Sequence, residues 1–434
     1  MAVCHKFPLR ALRAASAEQI DSLSTSRDRR LLMSIKQGAR VALVNMHLAR
    51  PGDDLQATTK AYFHAHCLAR ALVDLGYQVT LYQAFDVHQR QEIAGVDVCG
   101  FPLVQAGRNR SNGLMTRLLG LEATGTPNCD ALIKYFAANP PEVLHVFGIS
   151  EWVAHQPVTR WAKNAGCLVS CSDHGGVPSR HPVRRIRQKN ALRWSDVFFT
   201  PSLERKEMWR GSGLFNAQQR FEGLPEISTS FALSSQELAR QKTGMTGNPV
   251  VVSTSNLQHR KRPILMLDSF EHLLEQWPDA QLYLFFRFDT LLPEVKNRIA
   301  NSPKLSSAVT ICGSVPHDEM VAVYNSADIY FLTSTYETGP ISLGESLACG
   351  AMCACTALPS IQLIAEQDQE LNGVLFSQTA NAAEIAERMA PLKRYVSQAT
   401  RLRQRSYFDK YLSYDVMAGA MMSALGTLSN SKRV

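Results

Sequence analysis

The sequence lacks the patterns that mark several common classes of protein. No stretch of the 434 residues holds the roughly 18 consecutive apolar residues that a membrane-spanning helix needs. The ten cysteines include no Cys-x-x-Cys pair, which argues against a zinc clip. Charged residues interrupt the N-terminal segment, so it does not contain the unbroken apolar core that a secretory signal peptide has. We therefore expect a cytoplasmic protein whose thiols are reduced.

Two nucleotide-binding signatures are also missing. Gly-x-Gly-x-x-Gly follows no predicted strand, and the nearest candidate, Gly211-Ser212-Gly213, has no third glycine. Gly-x-x-x-x-Gly-Lys does not occur. A nicotinamide-dependent dehydrogenase and a P-loop NTPase are therefore disfavoured.

Basic residues exceed acidic residues by a modest margin, 46 Lys and Arg against 38 Asp and Glu, for a net charge of +8. One segment concentrates the excess: Arg180, Arg184, Arg185, Arg187, Lys189 and Arg193. Elsewhere no basic stripe alternates with aromatic residues, so a nucleic-acid partner is not expected. The basic segment is interpreted either as a solvated helix face or as a contact with an anionic membrane or substrate.

Strand and helix patterns alternate along the chain. An apolar strand at Arg40–Ala49 precedes a helical pattern at Leu55–Leu75 and a second strand at Val79–Tyr82. This unit predicts a parallel pair with a right-handed crossover. Because the alternation continues to about residue 210 and resumes at Pro249, we predict an α/β protein with two tandem Rossmann-like, doubly wound parallel sheets.

The pattern lapses between Gly211 and Gly247, where we place the boundary between the two sheets. The predicted organisation has four parts: an N-terminal extension (1–38), a first Rossmann-like domain (39–225), a second one (226–405) and a C-terminal helix that crosses back to the first (406–434). Ligands of open α/β sheets bind at the carboxyl ends of the strands. The predicted active site therefore lies in a cleft between the two domains.

The most informative segment is Thr333–Gly350, where a buried strand ends in a turn and a helix begins. Glu337 lies on the turn and Glu345 lies about one turn into the helix. Backbone amides at the start of the helix form a ready phosphate site: Gly339, Ile341 and Ser342. Glu345 can accept hydrogen bonds from two ribose hydroxyls, and Glu337 is within reach of a sugar beyond the phosphates. The alternative is a surface turn leading into an amphipathic helix.

This segment, with its helix end Leu347-Ala348-Cys349-Gly350, resembles the paired-glutamate motif of retaining glycosyltransferases of the GT-B fold. The resemblance is to glycosyltransferase family 4 in particular (glycosyl transferases group 1). It extends over about Pro249–Phe376 and reaches the N-terminal half only as a general pattern. In such enzymes the C-terminal half binds the donor and the N-terminal half selects the acceptor.

A second match is the strand and basic loop Val251–Arg262. In the family, this loop offers a basic pair to the nucleoside diphosphate and so compensates charge on the leaving group. Lys261 falls on the family's lysine. Asn256 stands where many members have arginine, so that contact is expected either to be neutral or to be taken over by Arg260. A strand-to-helix loop with solvent-facing basic side chains is the alternative.

Further matches carry departures from the family pattern. Ile311–Val315 resembles the base-recognition loop, which implies a donor contact at Val315. The loop after the first strand retains one glycine, Gly52, of the usual pair near the phosphates. His145 matches the first histidine of a two-histidine motif, and Phe147 replaces the second.

His174, in the segment Cys171–Gly176, resembles a histidine-glycine element at the end of the following strand. It is expected to point into the cleft close to both substrates. A core histidine is the alternative for both His145 and His174.

The reaction implied by the resemblance is transfer of a sugar from a UDP or GDP type donor to an acceptor hydroxyl, with retention at the anomeric carbon. The predicted catalytic residues are Glu337, Lys261 and His174. The sequence has no Asp-x-Asp pair, the arrangement of metal-using sugar transferases. No metal or other cofactor is therefore expected, and Lys261 and the helix amides would take the role of a cation.

Several alternatives stay open at the level of sequence. The acceptor is a glycan, a lipid-linked molecule or a small molecule, and family membership favours polysaccharide or glycoconjugate biosynthesis. A sugar-nucleotide epimerase or phosphorylase would retain the nucleotide site. The departures at Asn256, Phe147 and 51–54 also allow a catalytically weak subunit that regulates a partner or binds a membrane.

Overall fold

The computed structural model describes residues 35–50, 52–104, 127–148, 156–224, 227–365 and 373–431. Two separate β-sheets, each covered by helices, organise this part of the chain. Most of the predicted N-terminal extension, and residues 151–155 at the start of a predicted helix, lie outside the described residues.

The first sheet has eight strands in the order β3-β4-β2-β1-β5-β6-β7-β8. All neighbours pair in parallel except β3 and β4. The strands are β1 (Arg40–Asn45), β2 (Gln78–Ala84), β3 (Gln89–Ile93), β4 (Val96–Phe101), β5 (Val143–Phe147), β6 (Leu168–Ser172), β7 (Val197–Thr200) and β8 (Arg220–Gly223).

Within the residues that the structure describes, six helices accompany this sheet. They are α1 (Leu55–Ala61), α2 (Phe63–Asp74), α3 (Cys129–Ala138), α4 (Gln156–Asn164), α5 (Pro182–Leu192) and α6 (Leu203–Arg210). The caps that begin α1 and α6 follow from local sequence: the side chain of Asp54 accepts from the amide of Ala57, and Ser202 accepts from that of Arg205.

The single helix predicted over Leu55–Leu75 is two helices, because Tyr62 leaves helical geometry at φ −110° and ψ 43°. Its hydroxyl donates to the carbonyl of Leu48 (3.0 Å), and its ring stacks on His47 at 5.4 Å between centroids. These tertiary contacts outweigh the local helical preference. The sequence pattern does not predict the antiparallel edge strand β3, since four of its five residues are polar and exposed.

The second sheet has six parallel strands in the order β11-β10-β9-β12-β13-β14. They are β9 (Val250–Ser253), β10 (Gln281–Phe285), β11 (Val309–Gly313), β12 (Ile329–Leu332), β13 (Met352–Thr356) and β14 (Gly373–Phe376). Strands β9, β12 and β13 are buried along their whole length, which explains their continuous apolar sequences. The order reverses between β9 and β12, so a crevice is expected at their carboxyl ends.

In the described part of the second domain, eight helices surround this sheet: α7 (Gln236–Thr243), α8 (Pro263–Leu273), α9 (Leu292–Ala300), α10 (Pro303–Ala308), α11 (Met320–Ser326), α12 (Ile341–Ala348), α13 (Pro359–Ala365) and α14 (Ala382–Met389). The segment Gly211–Gly247, where the sequence pattern lapses, contains β8 of the first sheet and α7, which packs on α11 of the second.

Two further helices end the described chain, α15 (Gln398–Tyr411) and α16 (Tyr414–Ser431). Helix α15 packs on α12 of the second domain, and α16 packs on α2 of the first. Buried side chains of α16, among them Met421 and Leu425, share one apolar core with Leu68 and Leu72 of α2. The C-terminal helices therefore bridge the two domains through a hydrophobic contact.

Candidate active site

Two loops meet at the point where the strand order of the second sheet reverses. One follows β9 and the other follows β12. The amide of Thr335 donates to the carbonyl of Arg260 (2.7 Å), and the hydroxyl of Thr333 donates to that of Lys261 (2.8 Å). The basic loop and the glutamate turn, which are distant in sequence, are therefore held together by hydrogen bonds to backbone carbonyls of the basic loop.

Arg262 supports this junction. It takes a left-handed conformation (φ 48°, ψ 55°), which is unfavourable for a residue with a β-carbon. Its guanidinium donates to the carbonyls of Thr333 (2.7 Å) and Gln378 (2.7 Å). These contacts hold the turn that presents Lys261 and lets Pro263 begin α8.

Lys261 and Glu337, both predicted as catalytic, form a direct ion pair. Their side chains are 11% and 8% exposed. The hydroxyl of Ser334 also donates to Oε1 of Glu337 (2.5 Å). Burial lowers the pKa of Lys261, and the neighbouring Glu337 carboxylate opposes that shift. The pair is therefore pre-oriented and largely shielded from water, conditions that strengthen electrostatic interactions with a ligand.

Arg260 lies at the more exposed side of the same pair. One guanidinium nitrogen is 3.3 Å from the carbonyl of Tyr336 and 3.5 Å from Oε2 of Glu337. Its side chain is 46% exposed, so it is in contact with solvent to a greater extent than Lys261. Arg260 and Lys261 thus place two positive groups beside one carboxylate.

The predicted phosphate-binding residues surround the start of α12. Pro340 is the N-cap residue, and the helix begins at Ile341. Gly339 and Ser342 are half-buried, and the hydroxyl of Ser342 shares a 2.6 Å hydrogen bond with Tyr330. The first amides of an α-helix have no acceptor within the helix, so this end of α12 can bind an anion.

Glu345 is buried in α12, with its side chain 6% exposed. Its Oε1 lies 2.7 Å from Nε2 of His317, in the loop after β11. This hydrogen bond raises the pKa of His317 above its ordinary value. Sequence reasoning missed His317, although it lies two residues after Val315 in the predicted base-recognition loop. Val315 itself is half-buried against the core of the second domain.

On the side of the first domain, His174 is exposed immediately after β6. Its Nε2 lies 2.8 Å from the hydroxyl of Ser172. Two histidines that the sequence analysis did not single out lie nearby. His64 in α2 has its ring centroid 6.0 Å from that of His174. Burial and the proximity of His174 lower the pKa of His47.

Gly148, at the end of β5, makes room for this histidine cluster. Its φ is +68°, and a β-carbon there would lie 3.1 Å from Nε2 of His47 and 3.8 Å from Cβ of His174. The loop that carries His47 is supported by two buried side chains, Asn45 and Gln83. The side-chain amide of Asn45 donates a hydrogen bond to that of Gln83 (2.8 Å). Gln83 also donates to the carbonyl of His47 (2.6 Å).

Three predicted site residues have other surroundings. His145 is 1% exposed and bonded to Ser170 (2.9 Å), so it lies inside the first domain and not on its surface. Oδ1 of Asn256 accepts from the amides of Arg287 (2.9 Å) and Phe288 (3.0 Å), which orders the loop after β10. Gly52 lies in the loop before α1 at φ +89°, with open space around it.

Below His174, Asp173 and Arg205 form a buried ion pair, 0% and 4% exposed. The indole of Trp209 donates to Oδ2 of Asp173 (3.0 Å). Arg205 also reaches the hydroxyl of Tyr336 in the second domain at 3.5 Å. Because Tyr336 precedes Glu337, this contact connects the first domain to the glutamate turn.

Neither a metal centre nor a membrane span is evident in the described ranges. Within them, no group of three His, Cys, Asp or Glu side chains is arranged to hold a metal ion. None of the helices there combines the length and the apolar composition needed to cross a bilayer.

The chain is similar to known proteins in sequence and in fold. Residues 235–407 match the family described as Glycosyl transferases group 1. The C-terminal half carries a glycosyl transferases group 1 domain. This bears out the resemblance seen in the sequence, while the finer assignment to family 4 stays a prediction.

Two solved structures are similar to most of the chain. Sucrose-phosphate synthase from Thermosynechococcus elongatus has a TM-score of 0.59 at 16% identity, covering 91% of this chain and 99% of that one. HepE from Anabaena in complex with UDP-glucose has a TM-score of 0.57 at 14% identity, covering 90% and 99%. At these identities the similarity shows the fold, which is GT-B, as predicted.

One curated relative matches a shorter segment. Mannosylfructose-phosphate synthase of Agrobacterium fabrum is 28% identical over 130 residues. The match spans 28% of this chain and 28% of that relative.

Proposed function

We propose that this protein is a retaining glycosyltransferase that moves a sugar from a nucleoside diphosphate donor to an acceptor hydroxyl. The observation that carries the proposal is the placement of Lys261, Arg260 and Glu337 beside the start of α12, at the reversal of strand order in a glycosyl transferases group 1 domain. The Anabaena HepE structures, which contain UDP or UDP-glucose, support a uridine nucleotide as the first donor to test.

In the proposed complex, the donor diphosphate lies between the start of α12 and the two basic side chains. Lys261 and Arg260 stabilise the negative charge that develops on the departing diphosphate. Glu337 accepts hydrogen bonds from the transferred sugar, and Glu345 accepts them from the ribose. The departing phosphate takes the proton of the acceptor hydroxyl on the same face, so the protein contributes orientation and charge stabilisation.

His174 is assigned to the acceptor side of the cleft. It follows β6 of the first domain, and it is exposed beside His47 and His64. Imidazole nitrogens donate or accept hydrogen bonds according to protonation, so these groups suit an acceptor rich in hydroxyls. We infer a saccharide or sugar-phosphate acceptor, in agreement with the names of the synthases to which the chain is similar.

The donor site is tested by measuring thermal stability against a panel of nucleoside diphosphates and their sugars, for the wild type and for Glu345→Ala. A ligand at a hundred times its Kd stabilises the native state by about 2.7 kcal/mol. We expect one nucleotide series to raise the melting temperature of the wild type and to have little effect on Glu345→Ala. Glu294→Ala, which removes an exposed glutamate of α9, is the matched control and should respond like the wild type.

Product analysis then separates the reactions that share a nucleotide site. Transfer to an added acceptor, or slow hydrolysis of the donor without one, supports the glycosyltransferase. Consumption of inorganic phosphate would indicate a phosphorylase, and a changed nucleotide sugar would indicate an epimerase. A wild type that no nucleotide stabilises would contradict the proposal and favour a catalytically weak regulatory subunit.

We also propose that α5 gives peripheral contact with an anionic membrane. Only Ala191 and Leu192 of this helix are buried. Its exposed surface combines the cations Arg184 and Lys189 with Ile186, which is 61% exposed. Basic side chains beside exposed apolar ones are typical of helices that lie on a lipid surface.

Reversal of three exposed charges, Arg180→Glu, Arg184→Glu and Lys189→Glu, should abolish binding to vesicles rich in phosphatidylglycerol. Each cation near such a surface contributes roughly 1 kcal/mol, so the triple change is expected to weaken binding by more than about 100-fold in co-sedimentation. The charge-matched control changes three exposed cations of the second domain: Lys296, Lys304 and Arg403. Equal loss in both triple variants would indicate a net-charge effect and no specific membrane surface.

A further inference from the structure

His317 connects the proposed nucleotide site to the first domain. It lies in the loop between β11 and α11, and its side chain is 48% exposed. Nε2 of its ring is 2.7 Å from Oε1 of Glu345, the carboxylate proposed to bind the ribose. The inference drawn here rests on that proposed function and extends it.

The imidazole of His317 stacks between two aromatic rings. Phe63, the first residue of α2 in the first domain, lies at 5.0 Å between centroids with an interplanar angle of 28°. Phe231 lies at 5.0 Å and 30°. Stacked aromatic contacts of this kind contribute beyond the apolar area that they bury. The orientation of His317 is thus determined from both domains at once.

An exposed ion pair lies beside the stack. Nζ of Lys60 is 3.1 Å from Oδ2 of Asp318, and the two side chains are 72% and 62% exposed. Exposed pairs of this kind contribute little to stability. The charged groups around His317 are therefore Glu345, Asp318 and Lys60. The contact between the domains at this point depends mainly on the ring of Phe63.

A buried carboxylate needs hydrogen-bond donors, since leaving it without them costs considerable free energy. Glu345 is 6% exposed, and His317 supplies a donor to one of its two oxygens. Because this hydrogen bond holds Oε1 in place, it also fixes the orientation of the whole carboxylate group and therefore the position of Oε2. The buried hydroxyl of Tyr324 also interacts with this carboxylate. Each carboxylate oxygen can accept more than one hydrogen bond, so Glu345 keeps the capacity to accept from hydroxyls as well.

We propose that His317 is a positioning residue for Glu345, and that Phe63 makes this positioning depend on contact between the two domains. His317 donates to Oε1 and leaves Oε2 directed at the ribose hydroxyls. When α2 contacts the loop after β11, the stack on Phe63 restricts the imidazole and the donor site is ordered. The acceptor-binding domain thereby contributes to nucleotide affinity without touching the nucleotide.

The test compares two substitutions at His317 by isothermal titration with UDP and GDP. His317→Phe keeps an aromatic ring between Phe63 and Phe231 but removes the donor. His317→Gln keeps a donor at a similar reach. We expect His317→Phe to weaken binding of the preferred nucleotide about tenfold, in line with loss of a hydrogen bond to a charged group, and His317→Gln to stay within about twofold of the wild type.

A double substitution tests whether the effect passes through Glu345. In the Glu345→Ala background, His317→Phe is expected to cause no further loss, because the carboxylate that it would position is absent. An equal loss in both backgrounds, or wild-type affinity in His317→Phe, would overturn the proposal. Phe63→Ala, introduced alone, should weaken nucleotide binding. Added to the His317→Phe, Glu345→Ala double variant, it should cause no further change in nucleotide affinity.

The outcomes also separate this inference from the proposed function. If the wild type binds a nucleotide and Glu345→Ala weakens it while His317→Phe does not, the nucleotide site stands and the positioning role of His317 is wrong. If the wild type binds neither UDP nor GDP nor their sugars, both proposals fail.

Discussion

Lys261→Ala is expected to reduce kcat for sugar transfer by about 10²–10³-fold, an effect of roughly 3–4 kcal/mol on the transition state. Lys261 is 11% exposed, so in the proposed complex its ammonium would act on the diphosphate with little screening by water. The charge that it stabilises is largest when the sugar-phosphate bond breaks. The measurement is the initial rate of transfer with saturating donor, and KM for the donor should change less than kcat.

Two controls accompany Lys261→Ala. Lys304→Ala removes an exposed lysine that pairs with Glu275 and should leave kcat unchanged, since both side chains are more than half exposed. Lys261→Arg retains the charge and should preserve part of the activity. Because Lys261→Ala leaves Glu337 with Arg260 and Ser334 as partners, the folded state should persist, which a melting curve checks. A kcat within about threefold of the wild type would show that Lys261 does not stabilise the leaving group.

Arg205→Ala is expected to lower the free energy of unfolding by about 3–5 kcal/mol, the typical cost of removing one partner of a buried ion pair. It leaves the carboxylate of Asp173, which is 0% exposed, without its counter-charge. The amides of Gly175 (3.0 Å) and Gly176 (3.1 Å) still donate to that carboxylate but do not neutralise it. Urea unfolding of the full chain, followed by tryptophan fluorescence, measures the change.

The matched control for Arg205→Ala is again Lys304→Ala. Its ion pair is exposed, so the expected change is within about 0.5 kcal/mol. The domains of a chain of this size can unfold in separate transitions, and Arg205→Ala should shift the one that reports on the first domain. A shift below about 1 kcal/mol would mean that Asp173 is solvated or protonated without Arg205.

Much of the fold follows from patterns within short segments. Runs such as Val250–Ser253 and Ile329–Leu332 are apolar throughout because a central parallel strand is covered on both faces. The alternation of such runs with helical patterns is sufficient to predict two doubly wound sheets. The elements that were missed depend on distant partners. The polar strand β3 forms by pairing with β4, and the helix break at Tyr62 follows from contacts with His47 and Leu48.

The residues of the candidate site also fall into two groups, those that the sequence indicates and those that only tertiary contacts reveal. Glu337 and Glu345 could be selected from the sequence because they lie on the turn after a buried strand and in the helix that follows it. Lys261 was selected because its loop resembles the basic loop of the family. The surroundings of Asn256 could not be anticipated, since its side chain accepts from amides of a loop after another strand. His317 gave no signal of its own, because its relevance depends on Glu345 and Phe63.

By itself, the sequence determined most of the strands and helices and that two parallel sheets follow one another, and it indicated which loops to propose for the donor site. The tertiary structure alone decided which of those loops meet. The loops after β9 and β12 are adjacent because these two strands, far apart in sequence, are parallel neighbours in the second sheet. Phe63 reaches His317 because α2 and the loop after β11 face each other across the two domains. Such contacts join segments far apart in the chain, and they are set by sheet order and packing, which no short stretch of sequence encodes.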